Sequence, residues 1–444
     1  MIGLRVKAPS YHAILGPRDT DTDFELNIQD VQLAISNSLG IVGSHAFEIV
    51  RRIAIDDDWK VYLVGGPVRD VILGQDINDL DFGIEGDALS FSRVIARELN
   101  GEVIDHPQFM TTSVIAPDIK IDLATSRKET YPGNGILPQV VPGSVSDDLA
   151  RRDFSINAMA IPLWHEHPKL LDPYGGLIDL NARLIRVLHG KSFNEDPTRM
   201  FRAIKYESRL GFSISSDSLS MMLSAVDNGV MSMVSGERIR KELEQIFSEP
   251  TALGIISRSQ ALGLIKAVHK TWMNSPFQFE ELEELKYELR YDPMSGLVAI
   301  CWDLTNTDAE LLITRLSMSR VWADIVRDTV RLRSLESKLS SESIPSSLIY
   351  GLLDSMSYSV LQTGKILTDN PVFVSRLALF TDTLMGVSPF LSGDDLISLG
   401  VPEGPKIGRI LGLLREQKLD GKITTEIDER NFVSFYLESL SGSG

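Results

Sequence analysis

Cysteine is nearly absent: Cys301 is the only one in 444 residues, which excludes an internal disulfide and a cysteine-rich zinc site. No uninterrupted apolar run is long enough to span a bilayer, and the first thirty residues lack the charged-then-apolar pattern of an export signal. These absences favour the cytoplasm. Fingerprints of the GxxxxGKS/T and GxGxxG kinds do not occur, so P-loop ATPase and Rossmann readings have no support. There is no His-Asp dipeptide, which weakens a metal-phosphohydrolase reading. Basic residues are in deficit as well: 44 Lys and Arg stand against 61 Asp and Glu, a formal net charge of −17. That balance argues against holding nucleic acid by a generally basic surface. One window departs from it, residues 311–333, with Arg315, Arg320, Arg327, Arg331 and Arg333 against Asp324 and Asp328. It reads either as a solvated helix face or as a face that meets phosphates.

What is present is an ordinary globular composition, 43% hydrophobic and 24% charged, long enough for two to four domains. Residues 61–86 organise the chain: a β-branched strand, a Gly65-Gly66 turn, a short amphipathic helix, and a second strand carrying Asp79 and Asp81. Strand side chains two apart share a face, so the two acids project together, with Leu80 and Phe82 on the other side. Two carboxylates side by side repel unless a cation lies between them, which points to a divalent-metal site. The glycine turn lets backbone approach a phosphate closely. The alternatives are a surface turn, or a calcium loop, which fails because Leu80 and Asp81 fall where an EF-hand needs a ligand and a glycine.

In chain order, residues 1–28 read as an irregular arm, and 28–56 as two helices broken near Gly40. A helix over 89–99 precedes strands near 102–104, 111–115 and 120–124. The Pro- and Gly-rich segment 132–144 reads as a long loop, and 147–159 as a helix. A tight turn at 172–176 precedes a short strand over 184–188. Beyond His189 the pattern is almost wholly helical, beginning with a helix capped by Asn194, with Pro197 in its first turn and Gly211 as its stop. A Ser-rich break at 334–347 marks a boundary or exposed loop, and the terminal SGSG reads as disordered.

Three further constellations carry chemistry. Asp122, between Ile121 and Leu123, is a third acid for a strand of the same sheet, acting as metal ligand or base; its plain alternative is a salt bridge to Lys120 or Arg127. Arg151, Arg152, Asp153 and Asn157 share one expected helix, where Arg suits phosphate and the Asp–Asn pair suits a sugar hydroxyl. Glu195, Asp196, Arg199 and Arg202 open the next helix. Asp196 and Arg199 either form an ion pair or present an acceptor and a donor to a nucleobase edge. His165-Glu166-His167 reads as a turn with incidental histidines rather than a metal pair.

The order of these segments is more specific than any one of them. GGPVRDVILG with DLDFGIEG, RRDFSINAMA, DPYGGLIDLNARLIRV and EDPTRMFRAIKYESRL closely resemble the motif series of class II tRNA nucleotidyltransferases and their bacterial poly(A) polymerase relatives. GERIRKELEQI and LSGDDLISLGVPEGPKIGRILGLLREQKLDG resemble later family segments. The resemblance implies an α/β nucleotidyltransferase head of the DNA polymerase β superfamily, with a mixed sheet and helices, followed by an all-α neck, body and tail. The implied spans are an arm at 1–28, a catalytic head at 29–188, a base-reading neck at 189–255, a body at 256–385 and a tRNA-binding tail at 386–444. It implies Mg²⁺ on Asp79 and Asp81, triphosphate against Gly65, Gly66 and Arg69, phosphate at Arg152, and ribose near Asp153 and Asn157. Glu195, Asp196 and Arg199 would template CTP and ATP, with Arg202 close by. The 132–144 loop occupies the place of a flexible element tied to adenosine addition. The implied activity is CCA addition to tRNA, with CC-adding, A-adding or poly(A)-polymerizing relatives as alternatives; a non-catalytic RNA-binding protein would have been expected to lose Asp79 or Asp81. No membrane and no protein partner is implied.

Overall fold

The computed structural model describes residues 26–272, 283–290 and 292–441. The arm expected over 1–28 therefore lies outside the described residues up to residue 25, as do 442–444 of the SGSG end. The chain divides into two compact units, one ending at Ser235 and the other beginning at Gly236.

The first unit opens with α1 (Ile28–Asp56), capped by the Asn27 side chain and broken at Gly40, whose φ of +68° leaves the helical region. By length and composition α1 could cross a membrane. Here Val31, Ile35, Phe47, Val50 and Ile53 are buried, and Phe47 stacks on Phe82 with ring centroids 6.4 Å apart. There follow β1 (Lys60–Val64), α2 (Gly66–Leu73), β2 (Leu80–Glu85), α3 (Ala88–Glu98), β3 (Glu102–His106), β4 (Thr111–Ala116) and β5 (Ile119–Thr125). Next come β6 (Arg127–Thr130), β7 (Gln139–Pro142), α4 (Val145–Ala150) and β8 (Ala160–Pro162). A six-stranded sheet in the order β3-β4-β5-β2-β1-β8 results, antiparallel except for the parallel β2–β5 pair. The apolar residues of β2 (Leu80, Phe82, Ile84) are fully buried, whereas Asp81 between them is only partly covered, as a period of two requires. On β1, Tyr62 and Val64 pack with Val145 and Leu149 of α4 and with Ala160. The unit continues through α5 (Gly176–Ala182), β9 (Leu184–Ile185), α6 (Ser192–Glu195), α7 (Arg199–Leu210), β10 (Ser213–Ile214) and α8 (Ser216–Asp227).

Several local expectations are corrected. The helix expected over 147–159 ends at Ala150. Ser144 and Asp147 form a reciprocal capping box that starts α4 at Val145. Asp153 then accepts the next N–H, from Phe154 at 2.9 Å, a local bond that competes with helix continuation. Phe154 is extended and bridges Val187. The 132–144 segment is not all loop, because β-branched Val140 and Val141 carry β7 into a hairpin with β6. The turn at 172–176 leads into α5 before the strand, of which Leu184–Ile185 pair with β10 and Val187 makes the isolated bridge to Phe154. The helix expected from Asn194 is interrupted: α6 ends at Glu195, and Asp196 after it, with φ/ψ of −131°/91°, is extended as a residue before proline prefers. α7 then starts at Arg199 and stops at Gly211, φ +65°. Asp79 lies just outside β2 and is exposed.

Among the described residues the second unit is helical and without strands. Helices Met294–Cys301, Arg320–Ser334 and Tyr358–Leu367 pack together around buried Cys301 and Trp302. The segment 334–347 includes a further short helix, Glu336–Leu339. A separate core of Leu391, Leu396, Val401, Ile410, Leu414, Ile423 and Val433 holds the C-terminal helices. Buried Glu429 completes it by accepting the backbone N–H groups of Phe390 and Leu391.

The arginine window at 311–333 is less free than its net charge suggests. Arg327 forks onto Glu310 at 2.6 and 2.9 Å, and Arg320 lies 3.6 Å from Asp324. Arg331 donates to Ser355 Oγ and Leu352 O, and Arg333 pairs with Glu336 and lies 5.5 Å above the Trp302 ring. Much of its charge is balanced by the protein's own acids.

Candidate active site

The parallel register sets Asp81 directly opposite Asp122, and Asp79 immediately precedes β2. Three carboxylates thus gather at one end of two central strands. Burial pushes the Asp81 carboxyl up to about 6, with the charges of Asp79 and Asp122 adding to the rise and Arg152 and Lys120 opposing it. Asp122 accepts from Ser113 Oγ, its register partner on β4, and from Lys120 Nζ at 2.6 Å. The expected salt bridge to Lys120 is present alongside the acid cluster, while Arg127 turns to Glu129 and Phe109 O.

Among the described residues no three His, Cys, Asp or Glu side chains form a ready-made metal cage. An oxygen-only donor set whose charges act together on Asp81 nonetheless fits Mg²⁺, which uses one or two carboxylates completed by substrate phosphates.

The Gly65-Gly66 turn closes on this end of the sheet. Gly65 has φ +74°, and its N–H donates to Met159 O at 3.3 Å, tying the turn beside β8. A Cβ at Gly65 would lie 2.4 Å from Arg152 Nη1, so glycine admits that guanidinium. Arg152 donates to Asp148 Oδ2 at 3.0 Å and to Asn157 O at 3.3 Å. Arg151 grips the other oxygen of Asp148 at 2.7 and 2.9 Å. Burial pushes the Asp148 carboxyl up, but the Arg152 and Arg151 guanidinium groups hold it below the usual carboxylate range.

Asp153 and Asn157 meet although no helix joins them, with Asn157 Nδ2 3.1 Å from Asp153 Oδ1. Arg69 donates to Asn157 Oδ1 at 2.7 Å and forks onto Asp70 at 2.8 and 2.9 Å, beneath the Tyr206 ring at 5.2 Å. Arg202 forks onto Asp153 Oδ2 at 2.6 and 2.9 Å. The result is one chain, Asp70–Arg69–Asn157–Asp153–Arg202. Burial raises the Asp153 carboxyl, yet Arg202, Asn157 and Arg199 together hold it below its ordinary range. Arg69, Asp153 and Asn157 are all buried and spend their polar atoms on one another, so they position neighbours.

Arg199 is buried, with Nη1 on Ser192 Oγ at 2.6 Å and Nη2 on Arg151 O at 2.7 Å and Tyr131 OH at 3.4 Å. These use three of the five guanidinium N–H groups. Asp196 Oδ1 accepts from Thr198 N at 3.1 Å and Oγ1 at 2.6 Å. Glu195 Oε2 lies 3.6 Å from His189 Nε2, and the Glu195 carbonyl accepts the Gly135 N–H at 3.2 Å.

Sequence reasoning missed Asp148, Glu129 and Tyr131. Asp148 precedes Arg151 and Arg152 by three and four residues, the helical pairing distance, which was a usable signal. Arg127 and Glu129 alternate along β6 with Tyr131 just beyond it; Tyr131 OH donates to Glu129 Oε2 at 2.9 Å, and Arg151 lies 3.3 Å from Glu129 Oε1. That ladder was hidden because the next residues read as a loop.

Residues 61–186 match the model of the poly A polymerase head domain. An A-adding tRNA nucleotidyltransferase of Geobacter sulfurreducens is 34% identical over 392 residues, 83% of this chain but only 44% of that protein. The A-adding enzyme of Halalkalibacterium halodurans is 32% identical over 385 residues, 84% of this chain and 88% of its own length. The chain belongs to the tRNA nucleotidyltransferase family. A CC-adding tRNA nucleotidyltransferase of Deinococcus radiodurans is 27% identical over 86% of this chain and 90% of its own. Solved structures agree in fold: an apo CCA-adding enzyme aligns with a TM-score of 0.73 at 28% identity over 95% of this chain and 99% of its own. A Thermotoga maritima CCA-adding enzyme complexed with tRNA aligns at 0.70 and 27% identity, over 92% and 98%. The expected nucleotidyltransferase head with a helical remainder is thus the fold of this family member.

Proposed function

We propose that this nucleotidyltransferase adds nucleotides from CTP and ATP to the 3′ end of tRNA, completing CCA. The observation that carries the reading is the register pairing of Asp81 with Asp122 beside Asp79, next to the Gly65–Arg152 contact. Asp79 and Asp81 hold Mg²⁺, which when bound lowers the pKa of the attacking 3′-hydroxyl and offsets charge on the triphosphate. Arg152, fixed by Asp148, faces phosphate. The Asp70–Arg69–Asn157–Asp153 chain sets the position of Arg202 and the ribose side. Arg199 and Asp196, held by their own partners, offer a hydrogen-bonding edge to the base, and a wrong base leaves buried polar groups unpaired.

A second reading, addition of the terminal A alone, is favoured by the names of the Geobacter and Halalkalibacterium relatives. One assay separates them. Purified protein is given tRNAs ending at the discriminator base, at C and at CC, with CTP, ATP or both. CCA addition extends all three to the same end. An A-adding enzyme extends only the CC substrate, and a poly(A) polymerase runs past one A. No extension of any substrate overturns the reading.

The titration of Asp81 gives a further expectation. Its folded pKa of about 6 lies above the ordinary 3.8, so ionisation is disfavoured in the metal-free fold. That contribution to metal-free stability is full below about pH 4 and is lost as pH rises through 6. Metal binding runs the other way, because Mg²⁺ needs the ionised carboxylate. Mn²⁺ titration of nucleotide-free protein should therefore weaken about fivefold from pH 6 to pH 5, the proton competing for one group. Equal affinity at both values refutes the assignment.

A further inference from the structure

One cation already sits at the acid cluster, and it belongs to the chain. Lys120 and Asp122 are two apart on β5 and so share a face of the sheet. Lys120 Nζ lies 2.6 Å from Asp122 Oδ2, while Ser113 occupies Oδ1. Both carboxylate oxygens are therefore engaged, one by a full positive charge. The pair is open to solvent, at 57% and 39% side-chain exposure, and such pairs add little to fold stability. Its consequence is local. Arg152 is anchored by Asp148 and Asn157, but Lys120 is held by Asp122 on a flexible four-carbon stem and can leave.

We propose that Lys120 is an internal counter-ion that competes with the divalent cation for the acid cluster and thereby raises the metal concentration the enzyme needs. The proposal rests on the metal reading of Asp79 and Asp81. In the metal-free protein the ammonium offsets charge that would otherwise be bare. For the cation to draw on Asp122, the ammonium has to yield its oxygen, and its charge opposes the cation's approach even when displaced.

The test is calorimetric titration of Mn²⁺ into full-length, nucleotide-free protein at low salt, comparing wild type with Lys120→Met, Lys120→Arg and Asp81→Asn. Lys120→Met should bind about fivefold more tightly, the scale of one unit charge acting across a few ångströms of partly solvated space. Lys120→Arg keeps the charge and should match wild type. The gain should shrink as added salt shortens the screening length. Lys120→Met binding no more tightly than wild type, with Asp81→Asn abolishing binding, overturns this proposal and leaves the metal reading standing. Undiminished binding by Asp81→Asn overturns both.

Discussion

Replacing Asp81 or Asp79 by Ala should cut single-turnover nucleotide incorporation by about a thousandfold or more, without lowering the melting temperature of metal-free protein at pH 7. The loss follows from removing a ligand whose cation is worth several kcal/mol to phosphoryl-type transition states. Retention of the fold follows from the electrostatics. Asp81 ionises against burial and two neighbouring acids, so its charge opposes folding in the absence of a cation. Asp79 is exposed, and its removal opens no cavity. The result that would sink the assignment is turnover within a few-fold of wild type for both variants. Melting curves with and without Mg²⁺ add an internal check: the cation should stabilise wild type and leave Asp81→Ala nearly unmoved.

Arg199→Ala should do two things at once. Its guanidinium is buried and binds Ser192, the Arg151 carbonyl and Tyr131. Losing it strands buried acceptors and opens space, at a cost on the order of 2 kcal/mol in stability. The larger effect falls on nucleotide choice, where the ratio of kcat/KM for CTP and ATP should collapse by about tenfold or more, because a fixed hydrogen-bonding edge discriminates by what it leaves unpaired. Mn²⁺ affinity should stay near wild type, since the charges that act most on Asp81 are Asp79, Asp122, Arg152 and Lys120. An unchanged CTP/ATP ratio refutes the base-reading role. Arg199→Lys keeps the charge without the fork and should rescue stability better than selectivity.

The acids and the glycine turn were legible because strand alternation and glycine chemistry are local. Asp81, Gly65 and Gly66 could be placed from their immediate neighbours, whereas alternation reached too far at Asp79, which lies just outside β2 and is exposed. The Asp153–Asn157 contact was reached for the wrong reason: helical spacing suggested it, whereas a side-chain-capped turn produces it. Pro197 misled in the same way, since its effect on Asp196 outweighed its tolerance in a first helical turn. Asp148 could have been found from its helical spacing to Arg151 and Arg152, but the links among Glu129, Tyr131, Arg151 and Arg199 were out of reach, because they depend on where a hairpin returns in space. Burial was equally illegible at Arg69, expected against the triphosphate yet almost enclosed by its partners.

The single parallel pairing in the sheet has a kinetic side. Asp81 and Asp122 lie forty-one positions apart, and no tight turn can bring parallel neighbours together. Slipping that register by one residue would turn Asp122 into the apolar layer and put Ile121 or Leu123 at the reaction centre. Core and catalytic acids therefore become correct in the same event. A refolding chain should gain its full Mn²⁺ affinity only when the β2–β5 pairing closes and brings in Asp122, late among its folding steps because the intervening α3, β3 and β4 must be ordered first. Metal binding in such an experiment reports strand register directly, and a nascent chain cut before Asp122 should fold toward the sheet yet hold no third acid.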